Sequence, residues 1–190
     1  MDYRSFLVLI IITLCFICGC ITAPAAESTL EGVGITDITL PAEADRVSLA
    51  YALEDLVIAD LESIPNTENM TIHRINGDGM DLSGDASTWV LGVTTQDNTT
   101  AILVYNRFTW RSLSWPEHYT TSTIDTETIL SPTDLFAMQG DTIQEKLEIS
   151  NATEISLELI DGVYKVYAKN GNRLSDLAFN ADSGELIVSE

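Results

Sequence analysis

Apolar residues recur along this chain with two different periods, one typical of helices and one typical of strands. Between Pro41 and Ile64 they recur every three or four positions, which predicts an amphipathic helix. Thr39 is a candidate N-cap, Pro41 suits the first turn, and Pro65 ends the helix. The expected buried face of this helix comprises Val47, Ala50, Leu53, Val57, Leu61 and Ile64.

Four segments with strand-like composition follow this helix. They are rich in β-branched and aromatic residues and comprise Met70–Ile75, Thr88–Thr95, Ala101–Tyr105 and Phe108–Trp115. Turn-forming residues separate them, at Asn76-Gly77-Asp78-Gly79, at Gln96-Asp97-Asn98 and near Asn106-Arg107. The pattern predicts a small antiparallel sheet.

A second helix is predicted to begin at Ser131, which can cap it, with Pro132 in the first turn. Its inner side would carry Leu135, Met138, Ile143 and Leu147. Four more strands are expected at Glu154–Ile160, Val163–Lys169, Arg173–Asn180 and Glu185–Val188. Asp161-Gly162 and Asn170-Gly171 favour the positive φ angles of tight hairpin turns between them.

The order of a helix and four strands therefore occurs twice, which predicts an α+β fold made of two helix-plus-antiparallel-sheet repeats. The first repeat would span residues 41–118 and the second residues 131–190, with a linker at residues 119–130. Two such units can share one larger sheet or pack side by side.

The N-terminus has the form of an export signal. A short charged start precedes an apolar stretch from Phe6 to Ile17, so residues 1–19 are interpreted as a signal peptide or membrane anchor. Ile17-Cys18-Gly19-Cys20 resembles a lipoprotein cleavage box, which implies lipid attachment at Cys20. The alternatives are an uncleaved membrane-spanning anchor and simple secretion. Residues 20–40 are small, polar and acidic, as in a flexible tether. Each alternative places the folded part on the extracytoplasmic side of the membrane.

The net charge and the positions of the cysteines exclude several kinds of partner and site. The chain has 9 Lys and Arg against 29 Asp and Glu, and a net charge of −20. Such a charge repels nucleic acid and anionic lipid and attracts basic partners, although it also serves solubility alone. No cysteine follows Cys20, so the exported part has neither a disulfide scaffold nor a thiolate metal site.

The sequence offers little catalytic chemistry. His73 lies in a predicted strand and His118 in a connector, and neither is paired by sequence with a nucleophile. Ser83-Gly84 lacks the flanking glycine of a nucleophile elbow. Residues 76–85 are rich in oxygen ligands but do not match the EF-hand register, which leaves weak calcium binding open. We therefore predict no catalytic residue, no metal site and no cofactor.

Two kinds of surface feature remain. Phe108, Trp110, Arg111 and Trp115 form a candidate partner-binding surface, since aromatic residues and arginine are enriched at binding hot spots. The alternative is that both tryptophans are buried between layers. Three sequons give candidate glycosylation sites at Asn69, Asn98 and Asn151.

The second half of the chain resembles the PepSY module. The resemblance rests on Tyr164–Ala168 and on the ending that runs from Phe179 to Gly184-Glu185-Leu186. It implies an exported, non-enzymatic module that regulates peptidases or binds a protein or peptide at the cell envelope. The alternatives are an accessory subunit of an envelope complex and an unrecognised extracytoplasmic hydrolase.

Overall fold

One antiparallel sheet forms the frame of this protein. The computed structural model describes residues 45–59, 61, 69–171 and 173–187. Its helices are α1 (Leu49–Ile58) and α2 (Pro132–Ser150). Its strands are β1 (Thr71–Asp78), β2 (Thr88–Thr94), β3 (Thr100–Asn106), β4 (Thr109–Trp115), β5 (Glu154–Ile160), β6 (Val163–Asn170), β7 (Arg173–Asn180) and β8 (Leu186–Ile187). The mixed α+β class predicted from the sequence is confirmed.

The two halves of the chain share this sheet instead of forming separate layers. The strand order is β4-β3-β2-β1-β5-β6-β7-β8, so the first strands of the two halves meet at the centre. Ile75 pairs there with Leu159, and Gly77 pairs with Leu157. A helix followed by four strands does occur twice in the described residues. That the halves are copies of one PepSY-like module stays a prediction.

Both helices contribute to the core on one face of the sheet, which we call the helix face. Side chains on a strand alternate between faces, and paired residues of neighbouring strands lie on the same face. The helix face carries the largest fully buried side chains of the sheet, among them Trp89, Tyr105, Tyr164 and Phe179. Trp89 Nε1 donates to the carbonyl of Val47, just before α1, at 3.0 Å.

The first helix is shorter than predicted, and only part of its predicted buried face is correct. It begins after Ser48, whose hydroxyl accepts from the amide of Tyr51, and it ends at Ile58. Val47 lies before the helix and pairs with Ala86. The buried residues of the helix are Leu49, Ala52 and Leu56. Of the predicted face, Leu61 is buried beyond the helix and Val47 and Leu53 pack against the core, whereas Ala50 and Val57 are exposed.

The two wrong positions, Ala50 and Val57, have a simple cause. Apolar residues occur on nearly every side of α1, so several stripes fit its sequence equally well. Trp110 selects one of them, because its Nε1 donates to the carbonyl of Ala52 at 2.9 Å. Thr39, Pro41 and Ile64, which marked the predicted limits of the helix, lie outside the described residues.

The second helix begins where the sequence predicted. The hydroxyl of Ser131 accepts from the amide of Asp134 at 3.1 Å, and Pro132 occupies the first turn. Leu135 and Ile143 are buried as expected, but Phe136 is buried in place of Met138, which is 55% exposed. The helix ends at Ser150, and its C-cap Asn151 adopts a left-handed conformation.

The predicted turn at Asn76-Gly77-Asp78-Gly79 is wrong. Asn76, Gly77 and Asp78 belong to β1, and the chain leaves the strand only at Gly79. Gly77 serves packing instead of a turn, because a Cβ atom there would lie 2.7 Å from Cζ3 of Trp89. The absence of a side chain lets the indole ring lie directly on the central strand.

The connector at residues 119–130 is tied to the sheet at several points. The amide of Ile124 donates to the carbonyl of Ile72 at 2.8 Å, on the side of β1 that β5 leaves unpaired there. The amide of Ser122 donates to Asp161 Oδ1 at 2.7 Å. These bonds join the connector to both halves of the fold.

No helix within the described ranges is long and apolar enough to cross a membrane. The predicted leader at residues 1–19 and the tether at residues 20–40 lie outside those ranges.

Two glycine-to-alanine substitutions should change stability in opposite directions. Gly77→Ala inserts a methyl group against buried Trp89, and overpacking of this kind costs about 1–3 kcal/mol of unfolding free energy. A Cβ at Gly140, inside α2, has nothing within 4 Å, so Gly140→Ala should stabilise the protein by about 0.5–1 kcal/mol. Denaturant midpoints of the two variants measure both effects. Equal midpoints would contradict the described packing of Trp89 on β1.

Candidate partner-binding surface

The sheet face opposite the helices, called here the outer face, carries the candidate binding residues. Alternation along β4 places Arg111, Leu113 and Trp115 on this face, and we call these three residues the β4 surface. Leu113 is 45% exposed and Trp115 is 40% exposed, and Arg111 is also exposed. Large apolar side chains and a cation therefore stand side by side in contact with solvent.

The structure separates the four residues that the sequence grouped. Trp110 points to the helix face and is buried, where its ring lies 5.0 Å from that of Tyr105. Phe108 is not on the strand, since it forms the β3–β4 turn together with Arg107. One tryptophan is thus buried and the other is exposed, which is an outcome between the two alternatives.

Pairing with β3 fixes the position of the β4 surface. Arg111 lies opposite Val104, and Leu113 lies opposite Ile102. The hydroxyl of Thr100 donates to the carbonyl of Trp115 at 2.5 Å, which holds the end of the strand. The result is a mostly apolar strip whose strands are held in register by backbone pairing.

The connector borders this strip at its far end. The ring of Tyr119 covers Gly92, where a Cβ atom would lie 2.7 Å from the phenol oxygen. The same ring stacks on His73 with centroids 5.3 Å apart. Burial raises the pKa of Tyr119, and the nearby Arg74 opposes that shift in part. Nδ1 of His73 lies 3.2 Å from the carbonyl oxygen of Thr121, so this histidine helps to hold the connector.

A second, polar feature of the outer face was not predicted from the sequence. Arg74, on β1, forms an ion pair with Glu158 on β5, and the phenol of Tyr167 donates to Glu158 Oε2 at 2.8 Å. Lys169 and Asp78 lie 3.7 Å apart at the edge of the same shallow depression of about 220 Å³. Burial and the hydrogen bond to Glu158 raise the pKa of Tyr167 to about 12.

A sequence signal exists for the outward position of Glu158, but not for its ion-pair partner. Glu158 and Lys165 stand at paired, outward positions in two strands whose inward positions are apolar. Charged residues on the same face of neighbouring strands can pair. What the sequence does not contain is the pairing of β1 with β5, which brings Arg74 to Glu158.

The structure gives the positions of both histidines and of the candidate calcium loop at residues 76–85. The ring of His73 contacts Tyr119 and Thr121 of the connector, and His118 lies exposed beyond β4. In the loop, Oδ1 of Asp81 accepts from the amides of Ser83 and Asp85, at 2.8 and 3.2 Å, and so organises its own backbone. Among the residues that the structure describes, no group of three or more His, Cys, Asp or Glu is placed to hold a metal ion.

The three sequon asparagines are all exposed. Asn69 and Asn98 lie at one end of the sheet, before β1 and between β2 and β3, and Asn151 lies after α2. Their use for glycosylation stays a prediction.

Comparison with known proteins gives one structural neighbour. The fold is similar to a crystal structure described as "a putative lipoprotein" from Clostridium difficile 630, with a TM-score of 0.47 and 13% sequence identity. The match covers 78% of this chain and 95% of the other. No protein-family model and no curated protein matches the chain, so the PepSY resemblance also stays a prediction.

Collisional quenching should reveal the β4 surface by fluorescence. Trp89 and Trp110 are buried and Trp115 is 40% exposed, so acrylamide should quench mainly Trp115. Trp115→Phe should remove most of the quenchable emission, and Trp110→Phe should leave it in place. Similar quenching of both variants would contradict the assignment of Trp115 to the outer face.

Proposed function

We propose that this protein is an exported, membrane-tethered binding module without enzymatic activity, which binds a protein or peptide partner through the β4 surface. The folded part would lie on the extracytoplasmic face of the membrane. The exposed group of Arg111, Leu113 and Trp115 on a rigid sheet is the observation that carries the proposal.

The export part of the proposal rests on the leader. An apolar stretch followed by Ile17-Cys18-Gly19-Cys20 is typical of a lipid-anchored protein, and lipid on Cys20 would hold the chain at the bilayer. The cysteine-free remainder agrees with a fold that needs no disulfide, because its buried core comes from one continuous sheet and two helices.

The binding part rests on exposure and chemistry. Tryptophan and arginine dominate the energetics of protein interfaces, since they combine apolar area with a directional polar group. Leu113 adds exposed aliphatic area beside them. The net charge of −20 favours a basic partner over an acidic one by long-range attraction.

The nature of the partner follows from the resemblance of the second half to PepSY modules. We propose an envelope peptidase or another envelope protein, bound without chemistry on the bound chain. His73 supports a binding role over a catalytic one, because its ring is engaged by Tyr119 and Thr121.

Membrane attachment should depend on one sulfur atom. Cys20→Ser should abolish incorporation of labelled fatty acid and release the chain from the membrane pellet, whereas Cys18→Ser should retain both. Metabolic labelling and fractionation of the intact cells measure the two properties. Labelled lipid on the Cys20→Ser variant would contradict the assigned attachment site.

Partner capture should depend on the β4 surface. Arg111→Ala and Trp115→Ala should each weaken binding of a cross-linked envelope protein at least tenfold, because losing a hot-spot side chain costs about 2 kcal/mol or more. Gln96→Ala, at an exposed turn, is the matched control and should bind as the wild type does. Unchanged capture by both β4 variants would overturn the proposed surface. A stoichiometric membrane subunit as the captured protein would favour the accessory role over peptidase regulation.

A further inference from the structure

The end of α2 forms one side of an open groove that has exposed apolar walls. The groove has a volume of about 380 Å³. Ile149 and Asn151 line it from the end of α2, and Arg173, Leu174 and Ser175 line it from the start of β7. Ile149 is 73% exposed and Leu174 is 60% exposed. Apolar side chains grouped on an exposed surface are typical of a site that another group covers.

The asparagine in this groove belongs to a sequon, and both recognised residues of that sequon are exposed. Asn151-Ala152-Thr153 directly follows α2. The helix cap accounts for the asparagine, because Asn tolerates the left-handed conformation found there, with a φ of 49°. The cap does not account for Thr153. Its amide donates to the carbonyl of Lys169 at 2.9 Å, which holds the sequon in place beside β6.

The other two sequons are less open in the folded chain. In Asn98-Thr99-Thr100, the threonine hydroxyl donates to the carbonyl of Trp115 at 2.5 Å, and Thr100 is only 6% exposed. In Asn69-Met70-Thr71, the threonine is the first residue of β1, is partly buried and pairs with Thr94. Sequon recognition needs both the asparagine and the hydroxyl residue two positions later. The sequon at Asn151 is the one that keeps both exposed after folding.

We propose that Asn151 carries an N-linked glycan and that the sugar rings next to the asparagine cover the groove. The proposal rests on the proposed export, because sequons are modified in exported proteins. Sugar rings suit the chemistry of the groove. Their C–H faces pack on apolar side chains such as Ile149 and Leu174, and their hydroxyl oxygens accept from the guanidinium of Arg173.

The size of the groove also favours sugar rings over a protein partner. Its volume of about 380 Å³ lies in the range of small-molecule sites, roughly 300–1,000 Å³. A specific protein interface instead buries about 800 Å² on each partner. A glycan attached at the wall of the groove would reach Ile149 and Leu174 without any loss of translational freedom, since it is already tethered.

The modification is a substitution at the first sugar carbon. The donor is a lipid-linked oligosaccharide activated as a phosphate ester, and a transferase of the same cell catalyses the step. Nδ2 of Asn151 forms a bond to the anomeric carbon of the donor, and the bond from that carbon to the phosphate oxygen breaks. The lipid phosphate leaves with the electron pair of that bond, and the amide nitrogen loses one proton to the transferase. No oxidant or reductant is needed.

Mass spectrometry of the full-length protein, isolated from the membranes of its own cells, tests the modification. We expect a glycan mass on the peptide that contains Asn151. Thr153→Ala should remove that mass completely, and Thr153→Ser, which preserves the sequon, should retain it. Both variants keep Asn151 itself and so leave the cap of α2 in place. Unmodified Asn151 in membrane-bound wild-type protein overturns the glycan but not the proposed export, whereas wild-type protein found only in the cytosol overturns both.

A thiol introduced into the groove tests whether the glycan covers it. No cysteine follows Cys20, so Leu174→Cys places a single thiol in the folded part. In intact membranes, a membrane-impermeant maleimide should label this thiol several times faster in the Thr153→Ala background than in the Thr153→Ser background. Gln96→Cys, at an exposed turn, is the matched control and should react equally fast in both. Equal rates for Leu174→Cys in the two backgrounds overturn the cover, and if both rates are slow, a bound protein fills the groove instead.

Discussion

The rest of this structure depends on the antiparallel pairing of β1 with β5, which connects the two halves of the chain. It converts two short helix-and-strand segments into one eight-stranded sheet with a continuous buried face. Ile75 and Gly77 lie at the centre of that face, between residues of both halves. Gly77 matters because it makes room for Trp89, whose indole also bonds to the backbone before α1. Because Gly77 has no side chain, Trp89 of β2 packs directly on β1 and also bonds to the segment that precedes α1.

A single sheet with helices on one face leaves few places for function. The helix face is filled by the core, so the outer face and the two ends of the sheet are what remains exposed to solvent. On the outer face, the half near β4 is apolar with one arginine, and the half around Glu158 is a network of ion pairs and hydrogen bonds. The apolar area near β4 is exposed among the described residues, and an exposed apolar patch is typical of an interaction site. The paired charges around Glu158 already satisfy each other.

Two energetically unfavourable features lie in the β3–β4 hairpin. Its turn holds two residues in a left-handed conformation, and the phenol of Tyr105 at the end of β3 is buried without a hydrogen-bond partner. Burial, with the charge of Asp55 nearby, raises the pKa of Tyr105 to about 12. Features of this kind survive when the surrounding structure holds them firmly. The aromatic contacts of Tyr105 with Trp110 and of Phe108 with Tyr51 supply that support.

The sequence by itself determined the class of fold and most of its elements. Two-residue turns, alternating strands and the Ser131-Pro132 cap are local signals, and β5, β7 and the start of α2 lie where those signals place them. Strand alternation is also local, and it places Trp110 on the face opposite to Arg111 and Trp115 once β4 is known to span Thr109–Trp115. Only the tertiary structure decided which stripe of α1 is buried, why Gly77 lies inside a strand, and that Arg74 meets Glu158. Each of these depends on a neighbour distant in sequence, which no local pattern of residues contains.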